Sequence, residues 1–259
     1  YSAFITSNVM LHTPSLVFSV SILFISAIAV RGGIEVIARC AVICTTLYLI
    51  TSLSLLLLLK DINISYMLPF LEDGIVPVLK GSFVQQAWFS EFFILAFLFP
   101  FMKSKDKGLK SGMKSTLYVL GMFFYVMFFV LTILGMSAMN QFYPVYTVVK
   151  AISIMGFFEN FEVLITGSWV LGNFIKITVF LYIVCIGLAQ LIKLPDYRAL
   201  VFPVSLLILL LSYWDIPNIV ELIQYMTSIQ PFYLLLVQTI IPFILLIITV
   251  IRKRRMETR

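Results

Sequence analysis

Seven unbroken apolar runs constrain this chain more than any other feature. They lie at about 14–30, 37–59, 83–102, 115–138, 160–190, 196–214 and 230–251. Most reach the roughly 20 residues a helix needs to cross about 30 Å of hydrocarbon. The runs are continuous rather than alternating, which argues against a membrane β-barrel. The expected fold is an all-α polytopic membrane protein with seven transmembrane helices, forming a single transmembrane domain over residues 1–259. The fifth run exceeds one bilayer thickness and is expected to tilt or project outward. The sixth is short and carries Pro203, which leaves its ends open.

Composition agrees. Apolar residues make up 61% of the 259 and charged residues only 12%. So few charges cannot cover the surface of a water-soluble domain, and a disordered chain needs the opposite balance. The net charge of +6 is not the footprint of a nucleic-acid partner, because the basic residues sit in short segments between apolar runs. Five lysines fall in the segment from Lys103 to Lys114 and five basic residues in the tail from Arg252 to Arg259. Arg31 and Arg39 flank one turn, Lys193 and Arg198 another, so 14 of 18 basic residues mark one side. The positive-inside rule puts that side, and the C-terminus, in the cytoplasm; seven spans then put the N-terminus outside. Tyr1 is not an initiator Met, and no basic segment with an apolar core precedes the first span. A fragment whose earlier spans are missing is therefore expected.

Enzymatic chemistry has no support. The single histidine, His12, excludes paired-histidine zinc motifs and makes a Ser-His-Asp triad improbable. No phosphate loop or dinucleotide fingerprint occurs, and no metal or cofactor is expected. Cys40, Cys44 and Cys185 are too few for a disulfide scaffold and read as small buried apolar residues.

Polar residues inside the runs are costly in lipid and face a bundle interior or a cavity. Glu91 lies near the middle of the third run, after Trp88 and Ser90. It is either a ligand or proton site, or a hydrogen-bonding group in helix packing. Glu162, Thr166, Trp169, Asn173 and Lys176 follow at spacings of 4, 3, 4 and 3, which puts them on one helix face. That stripe lines a cavity or forms an interhelical seam. Glu35 and Arg39 suit an i, i+4 ion pair beside the tight Gly32-Gly33 reversal, as a structural hairpin or an inner gate. Gln238 stands between Pro231 and Pro242 in the last run and lines a site or bonds a neighbour. Residues 61–82 and 140–158 each have room for a short interfacial helix.

An ordered set of short motifs then meets a family. Thr13-Pro14 opens a span, and Gly33-Ile34-Glu35-Val36-Ile37-Ala38-Arg39 follows it. Leu68-Pro69, Ser90-Glu91, Phe99-Pro100, Tyr143-Pro144 and Ile152-Ser153-Ile154 come next. Phe158-Glu159-Asn160-Phe161-Glu162, Trp169, Lys176 and Asp196-Tyr197-Arg198 complete it. In order and spacing the chain resembles the B subunit of bacterial spore nutrient germinant receptors, within the amino acid/polyamine permease superfamily. The resemblance covers nearly the whole chain.

It implies a ten-span fold of two inverted five-helix repeats, with this chain supplying spans four to ten. It implies a small nutrient ligand, such as an amino acid, A- and C-type receptor subunits as partners, and the spore inner membrane as location. A proton-coupled amino-acid permease is the alternative. Trp88, Ser90, Glu91, Thr166, Trp169, Asn173 and Gln238 are the expected ligand-binding residues. Lys176 and Glu162 are expected to replace or couple to an ion, and Glu35 and Arg39 to form the inner gate. The helix is expected to break near Ser90 and Glu91. Two departures stand out: Asn160 where the family often has Arg, and Ser90 where it often has Gly.

Overall fold

The computed structural model describes residues 1–68, 71–72, 74–102, 105–152, 161–215 and 219–257. The helices are α1 (Ser2–Asn8), α2 (Ser15–Gly32), α3 (Ile34–Ser52), α4 (Ile75–Phe89), α5 (Leu95–Leu98) and α6 (Lys105–Leu134). After them come α7 (Pro144–Lys150), α8 (Glu162–Leu191), α9 (Val201–Asp215), α10 (Ile219–Gln224), α11 (Gln230–Leu234) and α12 (Ile241–Glu257). Among the described residues there is no strand. Seven helical segments there are long and apolar enough to cross a membrane: Ser15–Gly32, Ile34–Asp61, Ile75–Phe101, Gly108–Asn140, Glu162–Leu191, Tyr197–Trp214 and Ile219–Arg252.

The seven expected spans are all present, but three begin seven or more residues earlier than hydropathy indicates. The third starts at Ile75, the fourth at Gly108 and the last at Ile219. Pro77 lies in the first turn of α4, where its missing N–H breaks no bond. Pro231 likewise opens α11 behind the π-helical turn Tyr225–Ile229. The expected outer helices are modest. Residues 61–82 give the 3-10 turn Ile64–Met67 before α4 begins, and 140–158 give α7, opened by Pro144.

Two compact units follow from the chain's contacts, residues 1–68 with 119–215, and residues 69–118 with 216–259. The first unit has two buried clusters. Ala27 and Val30 of α2, Ile37 of α3, Leu181, Tyr182 and Cys185 of α8, and Val201 and Val204 of α9 form one. Small residues let these helix backbones approach, as helix association in lipid requires. Phe129 and Val130 of α6, Val148 and Val149 of α7, and Leu55 and Leu58 form the other.

Local chemistry shapes the first unit's turns. Gly33 joins α2 to α3 at φ 89, a backbone conformation that side chains resist. Where α3 gives way to the 3-10 run Leu53–Asp61, Ser52 Oγ and Ser54 Oγ donate to Leu49 and Thr51 carbonyls three residues back. Such back-bonding competes with the regular ladder. The Ser52 carbonyl instead accepts from Tyr125 Oη of α6 at 2.9 Å.

The second unit interrupts its longer helices with short pieces. α4 passes into the 3-10 turn Ser90–Ile94, then α5, then the 3-10 turn Phe99–Phe101. The last span alternates α10, the π turn Tyr225–Ile229, α11, the π turn Leu235–Ile240 and α12. Ala87 and Pro231 are buried there, and the Phe83 and Phe232 rings meet with centroids 4.8 Å apart.

Candidate functional site

Within the second unit, Ser90 and Gln238 come together although 148 residues separate them. Ser90 Oγ lies 2.7 Å from Gln238 Oε1 and 2.8 Å from the Ala87 carbonyl, so its one proton serves either acceptor. Ser90 opens the 3-10 turn, yet Phe89 and Ser90 keep right-handed helical angles. The expected break is thus a change of hydrogen-bond pattern, not an unwound segment. The serine supplies an Oγ that bonds its own helix three residues back, a substitute that keeps the backbone helical. Gln238 is buried within the π turn Leu235–Ile240, and π turns recur at functional sites.

Two residues not expected from the sequence join this pair. Gln86 Nε2 donates to Thr239 Oγ1 at 3.2 Å. Gln86 stands four residues before Ser90, so both edge the same face; that spacing was the available signal. Trp88 points elsewhere, with 46% of its surface exposed. Glu91 is half-buried.

Within the first unit, the α8 stripe divides. Toward its N-terminal end Trp169 packs on Phe4, with centroids 4.3 Å apart, and stacks on Tyr1 at 5.8 Å. Phe4 also meets the Tyr143 and Tyr146 rings edge-on at 4.7 and 5.5 Å. Glu162, in the first turn of α8 where the helix dipole favours an anion, has a buried Oε2 without a hydrogen-bond partner among the described residues. Burial, and then the Glu162 carboxylate, push the Tyr146 phenol above its ordinary range. Burial does the same to Tyr143. Thr166 and Lys176 are half-buried. Asn173 Nδ2 donates back to the Trp169 carbonyl at 2.8 Å, so that amide serves its own helix. Ser168, off the stripe, also reaches a neighbour: its Oγ lies 2.6 Å from Thr51 Oγ1 of α3.

Glu35 and Arg39 form the expected i, i+4 ion pair, with both side chains about three-quarters exposed. The hairpin they flank is held by another residue. Tyr197 Oη donates to the Val30 carbonyl at 3.2 Å, an oxygen near the end of α2 that also accepts the Gly33 N–H at 3.0 Å. Arg31 lies over the Phe202 ring at 5.2 Å from its centroid.

Among the described residues no three His, Cys, Asp or Glu side chains gather as a metal site. Of the family motifs, Pro69, Ser153-Ile154 and Phe158-Glu159-Asn160 lie outside the described residues, and with them the Asn160 departure.

The family model described as "Spore germination protein" matches residues 1–220. Spore germination protein KB of Bacillus subtilis (strain 168) is 28% identical over 254 residues, which is 95% of this chain and 68% of that protein. The YfkT protein of the same organism is 25% identical over 239 residues, 92% of this chain and 65% of its own length. Spore germination protein YndE, also from that organism, is 26% identical over 184 residues, 70% of this chain and 51% of its own length. The chain thus spans from 51% to 68% of the length of these curated relatives. No solved structure matches. Seven apolar spans and a family match over most of the length agree, and the chain belongs to the spore germination protein family.

Proposed function

We propose that this chain is the nutrient-sensing part of a germinant receptor B-type subunit, which binds a small amino-acid-like molecule within the spore inner membrane. It acts there with A- and C-type subunits to trigger germination, and its C-terminus faces the cytoplasm. The observation that carries this reading is the Ser90–Gln238 contact, where a 3-10 turn of one span meets a π turn of another. Irregular helix with polar side chains, deep in apolar spans, is how membrane proteins of the transporter type build ligand sites. The relatives' names support germination as the setting. Glu91 and Lys176 are the charged groups assigned to ligand and ion-substitute roles, because charges inside spans are costly unless used.

Germination assays on spores carrying the full-length protein test this. Glu91→Gln is expected to raise the nutrient concentration for half-maximal response about tenfold, the effect of losing roughly 1.4 kcal/mol of binding. Lys176→Met is expected to abolish the response while the protein still accumulates. An unchanged response in both variants overturns the roles, and loss of the protein itself assigns the residues to packing. Uptake of a labelled amino acid into vesicles bearing the protein alone would favour the permease alternative.

A further inference from the structure

In the first unit, α2 and α9 are locked together: Ala27 and Val30 pack with Val201 and Val204 in the buried cluster. Beside that core the seam turns outward. The Phe24 and Phe202 rings stack with centroids 6.5 Å apart, and both remain exposed, as do Ile28 and Leu206. Arg31, in the last turn of α2, lies over the Phe202 ring at 5.2 Å from its centroid. Arg198 stands one turn before Phe202, in the 3-10 turn that leads into α9. Both arginines are exposed and mark the ends of apolar spans, where hydrocarbon gives way to headgroups. The nearby carboxylates are already engaged. Glu35 pairs with Arg39, and Asp196 accepts the Arg198 backbone N–H at 2.9 Å. Among the described residues no carboxylate pairs with Arg31 or Arg198. The Phe202 ring attracts the Arg31 charge but uses none of its N–H donors.

We propose that this seam binds one anionic phospholipid, its phosphodiester held by Arg31 and Arg198 and an acyl chain laid over Phe202, Phe24, Ile28 and Leu206. A guanidinium presents paired N–H donors that match two phosphate oxygens at once. The contact with Phe202 holds a long side chain at headgroup depth, so less rotamer freedom is lost when the phosphate arrives. Basic groups beside a crevice between membrane helices suit an anionic headgroup. A soluble acidic partner fits less well, because the surface continuous with the arginines is apolar and belongs to the spans. The bound headgroup bridges α2 and α9 next to the Tyr197–Val30 bond and strengthens the hairpin end of the first unit. The site lies in a different unit from the Ser90–Gln238 contact and does not depend on the nutrient role proposed above.

The test counts lipids bound to the full-length protein by native mass spectrometry in neutral detergent. Phosphatidylglycerol or phosphatidylcholine of the same acyl chains is added. The unaltered protein binds its first phosphatidylglycerol about tenfold more tightly than its first phosphatidylcholine. Arg31→Gln and Arg198→Gln each weaken that binding about fivefold, as expected for one basic group at an anionic membrane surface. Phe202→Leu weakens it about twofold through the lost ring contact. Lys114→Gln, an equal loss of charge in the other unit, leaves it unchanged. Should Arg31→Gln not accumulate, Arg31→Lys, which keeps the charge and loses the planar fork, weakens binding by a smaller factor. Equal binding of the two lipids overturns the site. So does a Lys114→Gln effect as large as that of the arginine variants, which makes the preference a matter of net charge. Displacement of the lipid by inorganic phosphate assigns the arginines to the free anion and overturns the lipid site. Binding unchanged in both arginine variants overturns it too, and leaves those side chains to a protein partner.

Discussion

The two units differ in how their helices are made. In the most apolar stretch of the Ser15–Gly32 span 33% of residues are buried, and in that of Glu162–Leu191 28%. The corresponding figures are 6% for Ile75–Phe101 and 0% for Ile219–Arg252. α2 and α8 run unbroken for 18 and 30 residues, whereas each span of the second unit pairs one regular helix, α4 or α12, with a stretch that changes helix type every few residues, Ser90–Phe101 or Ile219–Ile240. Close packing needs regular ridges and grooves, so a helix that packs along its length gains by staying regular. Where packing is lighter, 3-10 and π turns cost little, because each still satisfies the backbone internally as lipid demands. Irregularity concentrates where polar side chains must be aimed. A departure inside the first unit, the Leu53–Asp61 run, makes the same point from the other side: Tyr125 holds its released carbonyl, and Leu55 and Leu58 are buried beneath it.

This contrast is open to direct attack. If packing sets the difference, Phe129→Ala in the first unit's core should lower the unfolding free energy by about 3–5 kcal/mol. Phe97→Ala, at a ring 46% exposed, should stay within about 0.5 kcal/mol, read by the same thermal or denaturant unfolding of the full-length protein. Equal effects would erase the comparison.

A smaller effect sharpens it. Tyr197→Phe removes the donor to Val30 at the hairpin and is expected to cost about 0.5–1.5 kcal/mol. Hydrogen exchange at the α2–α3 turn should rise with it; unchanged exchange would show that Gly33 holds the turn unaided. The smallest effect belongs to Arg39→Ala. An exposed i, i+4 pair contributes about 0.3–0.5 kcal/mol, so stability should barely move and the remainder should fade in salt. A loss several times larger, insensitive to salt, would mean that the pair bears on more than its own helix.

Much of the site was legible only as a set of residues. Ser90 and Gln238 stood out because polar groups are rare inside apolar runs, yet nothing in either run named the other as partner. Gln86 was passed over because glutamine at a span's edge reads as interfacial, and the span itself begins at Ile75, earlier than its hydropathy indicates. The polar residues of α8 serve different neighbours: Trp169 an aromatic cluster, Asn173 its own backbone.

The helix class, the number of spans and their order were determined by the sequence alone. Hydrocarbon thickness and the need to satisfy every backbone group within the segment act locally, residue by residue, so an apolar run of sufficient length has no other solution. Only the tertiary structure decided which side chains meet. The Ser90–Gln238 and Thr51–Ser168 contacts, the Tyr197 bond to Val30 and the π turn that aims Gln238 depend on helices brought together across 117 to 167 residues of chain. Hydropathy is blind to such pairings, because a hydrogen bond between spans requires only that two polar groups face each other, and helix rotation and register are set by packing.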